Sequence, residues 1–171
     1  MCTPGVNRVQ LGTAAARREY LGYHRSMEPA HASADRPSTP LPDPIRAFLL
    51  EPRNATIATI NPDGSPHQAV VWYALEGDDL LINSRPHRRW PRNLERDPRI
   101  SVAVPDTDVD RQSHWVGVKG EAVKIRDGAE ATADIQALAR RYGKDPEAYA
   151  GQERVTFRII VRSTFEYGAD E

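Results

Sequence analysis

Short β-branched runs broken by turn residues dominate residues 55–104, where long stripes at helical spacing are missing. Ala55-Thr56-Ile57-Ala58-Thr59-Ile60 has the residue types that suit a pleated, half-buried surface, and predicts a strand. Asn61-Pro62-Asp63-Gly64-Ser65 follows it as a turn, because proline presets φ and glycine accepts positive φ. A second run, Pro66–Leu75, answers the first, and Glu76-Gly77-Asp78-Asp79 turns the chain into Leu80–Asn83. These three strands predict an antiparallel meander. Ile100–Val104 resumes the sheet, and His114–Ile125 predicts a long strand whose glycines mark bends or a bulge. Over 129–142 the period changes: Ala131, Ile135, Leu138 and Tyr142 fall on one helical face, which predicts packing against the sheet. Arg154–Phe165 alternates again and predicts a closing strand. Six strands and one main helix predict a small barrel with added helices.

The barrel sequence has a different neighbour upstream. Residues 27–44 hold five prolines among Ser, Thr, Ala and Asp, which predicts an extended linker. Order is expected from Asp43-Pro44, an aspartate cap and first-turn proline ahead of Ile45–Leu50. Residues 1–43 are therefore expected to be a disordered leader and linker, with the domain over 44–168; residues 1–26 are either such a leader or an over-called start preceding Met27. The only cysteine is Cys2, which excludes an internal disulfide and suits the cytoplasm. No apolar run approaches the roughly 20 residues of a membrane helix, and no signal-peptide pattern is present. Five histidines without a close ligand pair on one face argue against a metal.

The net charge of −1 makes any anion site a local one. The candidate is Asn83–Arg99, which carries six arginines. Pro91 is suited to open a short helix there, leaving the Arg92 and Asn93 N–H groups in its first turn. Guanidiniums beside a helix N-terminus suit a phosphate. A solvated basic face with Arg92 and Arg96 paired to Glu95 or Asp97 is the alternative; the short span and neutral charge argue against nucleic acid.

Asp63-Gly64-x-Pro66, Val71-Trp72-Tyr73, Gly77-Asp78 and Arg92-Asn93-Leu94-x-x-Asp97-Pro98-Arg99, in this order, resemble the pyridoxamine-phosphate-oxidase-like family over residues 44–168. More narrowly, they resemble its deazaflavin (coenzyme F420)-dependent oxidoreductases. The resemblance implies a mainly β fold, a split β-barrel of the FMN-binding type with a few short helices. It also implies a homodimer with cofactor clefts at the subunit interface. His67 and Val71 would lie near the ring and its side chain, and Asn83, Ser84, Arg88, Arg89 and Asn93 at the phosphate end. Trp115 would reach in from the partner subunit. One departure stands out: Trp90 occupies the place of a family phosphate-binding lysine, so that Arg88 or Arg89 would have to take over its charge.

The activity implied by the resemblance is hydride transfer from reduced coenzyme F420 to a small unsaturated or conjugated acceptor, with placement and water exclusion left to the protein. No catalytic residue is assigned: Tyr73, Tyr142 and His114 are all candidates for protonating the product. Two alternatives stay open. One is an FMN-dependent enzyme of the same fold acting on a pyridoxamine-like substrate. The other is a non-catalytic protein storing cofactor, haem or a related tetrapyrrole.

Overall fold

The computed structural model describes residues 37–107 and 114–168; the expected leader, most of the linker and most of the loop at 106–112 lie outside them. In chain order the elements are α1 (Asp43–Leu49), β1 (Ala55–Ile60), β2 (Pro66–Val71), β3 (Tyr73–Glu76), β4 (Asp79–Ser84), α2 (Arg89–Arg96), β5 (Arg99–Pro105), β6 (Trp115–Asp127), α3 (Gly128–Arg141), a 3₁₀ turn (Pro146–Tyr149) and β7 (Val155–Tyr167). All strands join one antiparallel sheet in the order β2-β1-β5-β6-β7-β4-β3. The fold is mainly β, a curled split barrel with short helices outside it. No helix among the described residues is long and apolar enough to cross a membrane.

The second run of the expected meander is two strands. Its first half pairs with β1, Ala55 opposite Val71, and its second half with β4, Tyr73 opposite Ile82. The break is at Trp72 alone. Because β2 and β3 are opposite edges of the sheet yet adjacent in the chain, that residue brings the edges together and the sheet must curl. The enclosed face carries Ile57, Tyr73, Leu80, Ile82, Val102, Val116, Phe157 and Ile159, all at most 2% exposed. Apolar burial of this kind is the main favourable term in folding.

The expected bends in the long strand are real. β6 shifts register against β7 between Lys119 and Gly120 and again between Lys124 and Arg126. At Gly120 a Cβ would sit 2.4 Å from the Ile160 carbonyl oxygen, so only glycine allows the strands to approach there. Strand β7 is buried on both faces through its first half, because α3 covers the outer one: Ala131, Ile135 and Leu138 are buried, and Thr156 is 1% exposed beneath the helix. At the turn after β1, Gly64 has φ +83° and the Asp63 carboxylate accepts from the Ser65 N–H (2.9 Å) and hydroxyl (2.6 Å).

Two boundaries differ from the sequence reading. Helix α2 starts at Arg89, and Pro91 is its third residue. The missing proline N–H is harmless at either place, since the first four helical N–H groups have no intrahelical partner. Asp43 lies inside α1 and makes no capping bond; Pro42 precedes it. The end of the expected linker is held on the barrel. Thr39 N–H donates to Val161 O (2.8 Å), Leu41 N–H to Asp78 Oδ1 (2.9 Å), and Leu41 is buried.

Candidate functional site

Two hollows border the arginine-rich turn. The first, of about 220 Å³, opens where β2 passes into β3, β4 ends, and α2 and α3 approach. Val70, Val71 and Trp72 form one wall, Ile135 and Leu138 of α3 another, and Trp90 and Tyr149 close it. Its polar groups are Asn54, Asn83, Arg88 and Arg154. Trp90, only 3% exposed, packs against Phe157 with ring centres 5.7 Å apart. An aromatic side chain at position 90 therefore anchors α2 to the barrel.

The cations of this cavity are Arg88 and Arg154. Arg88 is exposed, and its guanidinium makes no hydrogen bond or ion pair among the described residues. Arg154, immediately before β7, is 5% exposed and sits over the Tyr149 ring at 5.2 Å. Among the described residues it has no carboxylate partner, and its Nε is buried without a hydrogen bond. Burial first, then the like charges of Arg85 and Arg88, push its guanidinium below its ordinary value. Asn83 is oriented by its surroundings. Its Nδ2 donates to Ala131 O (2.8 Å) and Thr156 Oγ1 (2.9 Å), and Thr156 in turn donates to Asp134 Oδ2 (2.7 Å). That chain of donors leaves Asn83 Oδ1 without a partner.

The second hollow, of about 470 Å³, lies under the Asn61-Pro62 turn and is lined by His87, Arg89, Arg92, Asn93 and Arg96. Asn93 is 2% exposed, and its amide is engaged: Nδ2 donates to Thr59 Oγ1 and Asn61 Oδ1, each at 3.1 Å, while Arg96 Nη1 approaches Oδ1 at 3.5 Å. It ties α2 to β1. Arg96 also donates to the Ile60 carbonyl. Arg89 lies on the side of Asp63, whose carboxyl is held below its usual value by Ser65 hydrogen bonds first and by the Arg89 charge to a smaller extent.

The eight expected site residues thus divide. Val71, Asn83 and Arg88 line the first cavity, and Arg89 and Asn93 the second. His67 is half-buried on edge strand β2 opposite Thr59 and lines neither. Ser84 is fully buried opposite Val155, its hydroxyl unpartnered, and Trp115 packs edge-on against Phe165 at 5.2 Å, both outside the two hollows. The three proton-donor candidates also lie elsewhere. The Tyr73 hydroxyl is in the core and donates to Glu51 O at 3.3 Å; burial raises it far above the ordinary phenol value. Tyr142, raised by burial too, donates to Arg53 O (2.7 Å) and accepts from the Tyr73 N–H (3.2 Å). His114 is held between Glu166 (2.8 Å) and Asp106 (3.4 Å). Arg154 escaped the sequence reading because it stands in no motif; the β4–β7 register alone, Ser84 opposite Val155, brings it beside Arg88.

The pyridoxamine 5'-phosphate oxidase family profile matches residues 41–167. A pyridoxine/pyridoxamine 5'-phosphate oxidase of Vibrio vulnificus is 31% identical over 155 residues, covering 90% of this chain and 70% of its own. The enzyme of the same name from Aeromonas hydrophila is 29% identical over 168 residues, covering 91% and 71%. Among solved structures, an F420 reductase aligns with a TM-score of 0.63 at 24% identity, covering 73% of this chain and 98% of its own, a likeness of fold.

Proposed function

Because the chain belongs to the pyridoxamine 5'-phosphate oxidase family, we propose that it is an oxidoreductase using reduced coenzyme F420, with the phosphate end of the cofactor in the cavity beside Arg88. The single observation behind this reading is that Val71, Asn83 and Arg88 line one cavity, with the Arg88 guanidinium unpaired among the described residues. The residues suit the group. Two cations without carboxylate partners among the described residues face an apolar-walled hollow, and an anion there would relieve both. The cavity is smaller than the roughly 300–1,000 Å³ of sites that enclose a whole drug-sized ligand, so only one end of the cofactor fits inside. The ring would lie beyond it, near Val70, which is 70% exposed.

When bound, the reduced deazaflavin supplies a hydride that, with one proton, reduces a conjugated acceptor. Arg88 would hold the phosphate through paired N–H donors and thereby fix the register of the ring. Val71, Trp72 and Trp90 would exclude water from that end. A second copy of the chain would complete the cleft, with Trp115 as its contribution. The choice of the deazaflavin rests on the Arg92-Asn93-Leu94…Asp97-Pro98-Arg99 run and on the F420 reductase among the similar folds. The names of the curated relatives, pyridoxine/pyridoxamine 5'-phosphate oxidases, favour an oxidase as the second reading, for which the resemblance implies FMN.

Titration separates the two. F420 fluorescence is expected to change on adding purified protein, and reduced F420 to be oxidised with an enone or quinone from a substrate panel. Binding of FMN alone sinks the first reading in favour of the second.

A further inference from the structure

Arg154 is the least comfortable charge among the described residues. Register fixes its place: Val155 pairs with Ser84, so the residue before it comes to lie beside the end of β4 and the entry to α2. There it is 5% exposed, stacked over Tyr149, with an orphaned Nε and no carboxylate within reach among the described residues. The cations that act on it are Arg85 and Arg88, both of its own sign, and the Tyr149 phenol only partly offsets them. Arg85 is occupied by Gln152 Oε1, at 3.3 Å from Nε and 3.2 Å from Nη2, whereas Arg88 is not. Burying a charge without a partner is strongly unfavourable, and a second like charge beside it makes it more so. The missing counter-charge is negative, and the cavity that both arginines line gives it a place.

We propose that Arg154 and Arg88 form a clamp for a phosphate monoester, with Arg154 as its buried half. Each guanidinium offers a rigid fork of donors, and a dianionic phosphate has oxygens enough for both, while one carboxylate is satisfied by a single fork. The remaining wall groups define the rest of the ligand. Trp72, Trp90 and Tyr149 present apolar surface. The ligand class is therefore a phosphate ester carrying an apolar or aromatic portion. This deepens the cofactor reading of the cavity and rests on it for the ligand's identity, but the clamp itself is tested without any cofactor.

The test is thermal unfolding of the full chain with inorganic phosphate, ionic strength being matched with sodium chloride. Phosphate is expected to raise the melting temperature of the wild type in a saturable way, since a ligand that binds only the folded state stabilises it. Arg154→Met, which keeps the length and removes the charge, is expected to melt no lower than the wild type without phosphate and to bind phosphate at least tenfold more weakly. Arg154→Lys restores the charge without the fork and is expected to fall between the two. A merely structural arginine gives the opposite pattern, a lower melting temperature in Arg154→Met with the phosphate response intact, and that result overturns the clamp. So does a wild type that does not respond to phosphate. Should Arg154→Met not fold, phosphate affinity in Arg154→Lys equal to the wild type overturns it as well. Competition by F420 or FMN for the phosphate site supports both the clamp and the cofactor reading. Phosphate binding through Arg154 that neither cofactor displaces keeps the clamp and removes the cofactor from this cavity.

Discussion

Arg88 and Arg89 are neighbours in the chain, but they line different hollows. The fold therefore separates a pair alike in type and adjacent in the chain, and the proposed site gives them different roles. Arg88→Ala is expected to weaken cofactor binding by about 1.5–3 kcal/mol, the worth of a charge-assisted hydrogen bond. Arg89→Ala, on the side of Asp63, is expected to leave the affinity within about twofold, a difference of only a few tenths of a kcal/mol. Fluorescence titration of the two single variants measures this, and equal losses would place the phosphate between the hollows. Arg99 is already occupied, by Asp97. Its carboxylate accepts from Arg99 Nη2 (2.6 Å) and Nε (2.9 Å), and these bonds first, then the backbone bond and the nearby charges, hold it below the ordinary aspartate value. A depressed folded-state value means stabilisation that is present above the unfolded pKa of about 3.9 and lost as pH falls through the lower folded value. Arg99 is more than half exposed, so the gain is small. Asp97→Asn is expected to lose up to about 1 kcal/mol at pH 7 and nothing against the wild type near pH 2, read by urea unfolding.

Elements were legible where a local rule decides them. The alternation of Val155, Phe157, Ile159 and Val161 fixes β7, and the i, i+4, i+7 stripe of Ala131, Ile135 and Leu138 fixes α3, because each apolar period belongs to one kind of element. The start of α2 was displaced by two residues because Pro91 suits its third position as well as its first. The split of β2 from β3 was hidden for another reason. Trp72 is itself a good strand residue, and nothing local marks it as a hinge. Its stacking on Tyr142, ring centres 5.0 Å apart, is a long-range contact that holds the bend from outside. The bulge in β6 was legible through its glycine, and this is testable. Gly120→Ala places a Cβ 2.4 Å from Ile160 O, a backbone atom that cannot swing away. It is expected to destabilise the protein by about 1–3 kcal/mol in denaturant unfolding, the usual cost of forced overpacking. A neutral result would mean that β6 and β7 can shift register at the bulge.

At the scale of the molecule, the candidate site was legible as a basic turn and, through the resemblance, Val71, but not in Arg154, which two strands, a helix and a 3₁₀ turn separate from that turn in the chain. Closure of the sheet at Trp72 makes the cavity, and no one segment encodes that closure. The same topology leaves a surface that the described residues do not cover. Where β6 begins and β7 ends, Tyr167 is 60% exposed and Phe165 39%, with Trp115 edge-on to Phe165 and Gly117 directly beneath its ring. Aromatic side chains clustered at the open end of two paired strands suit an interface, where large rigid rings are enriched. A homodimer is therefore expected at twice 19.1 kDa by light scattering. Phe165→Glu with Tyr167→Glu is expected to give a folded monomer, because neither side chain belongs to the barrel core. That monomer should bind F420 more weakly than the wild type, although the cavity beside Arg88 is untouched, since in the proposed dimer the partner would complete the cleft. A wild type that is monomeric at micromolar concentration removes this surface as the interface. A charge-bearing monomer with undiminished affinity would instead confine the cofactor site to one chain, with Arg88, Asn83 and Arg154 as its principal polar groups.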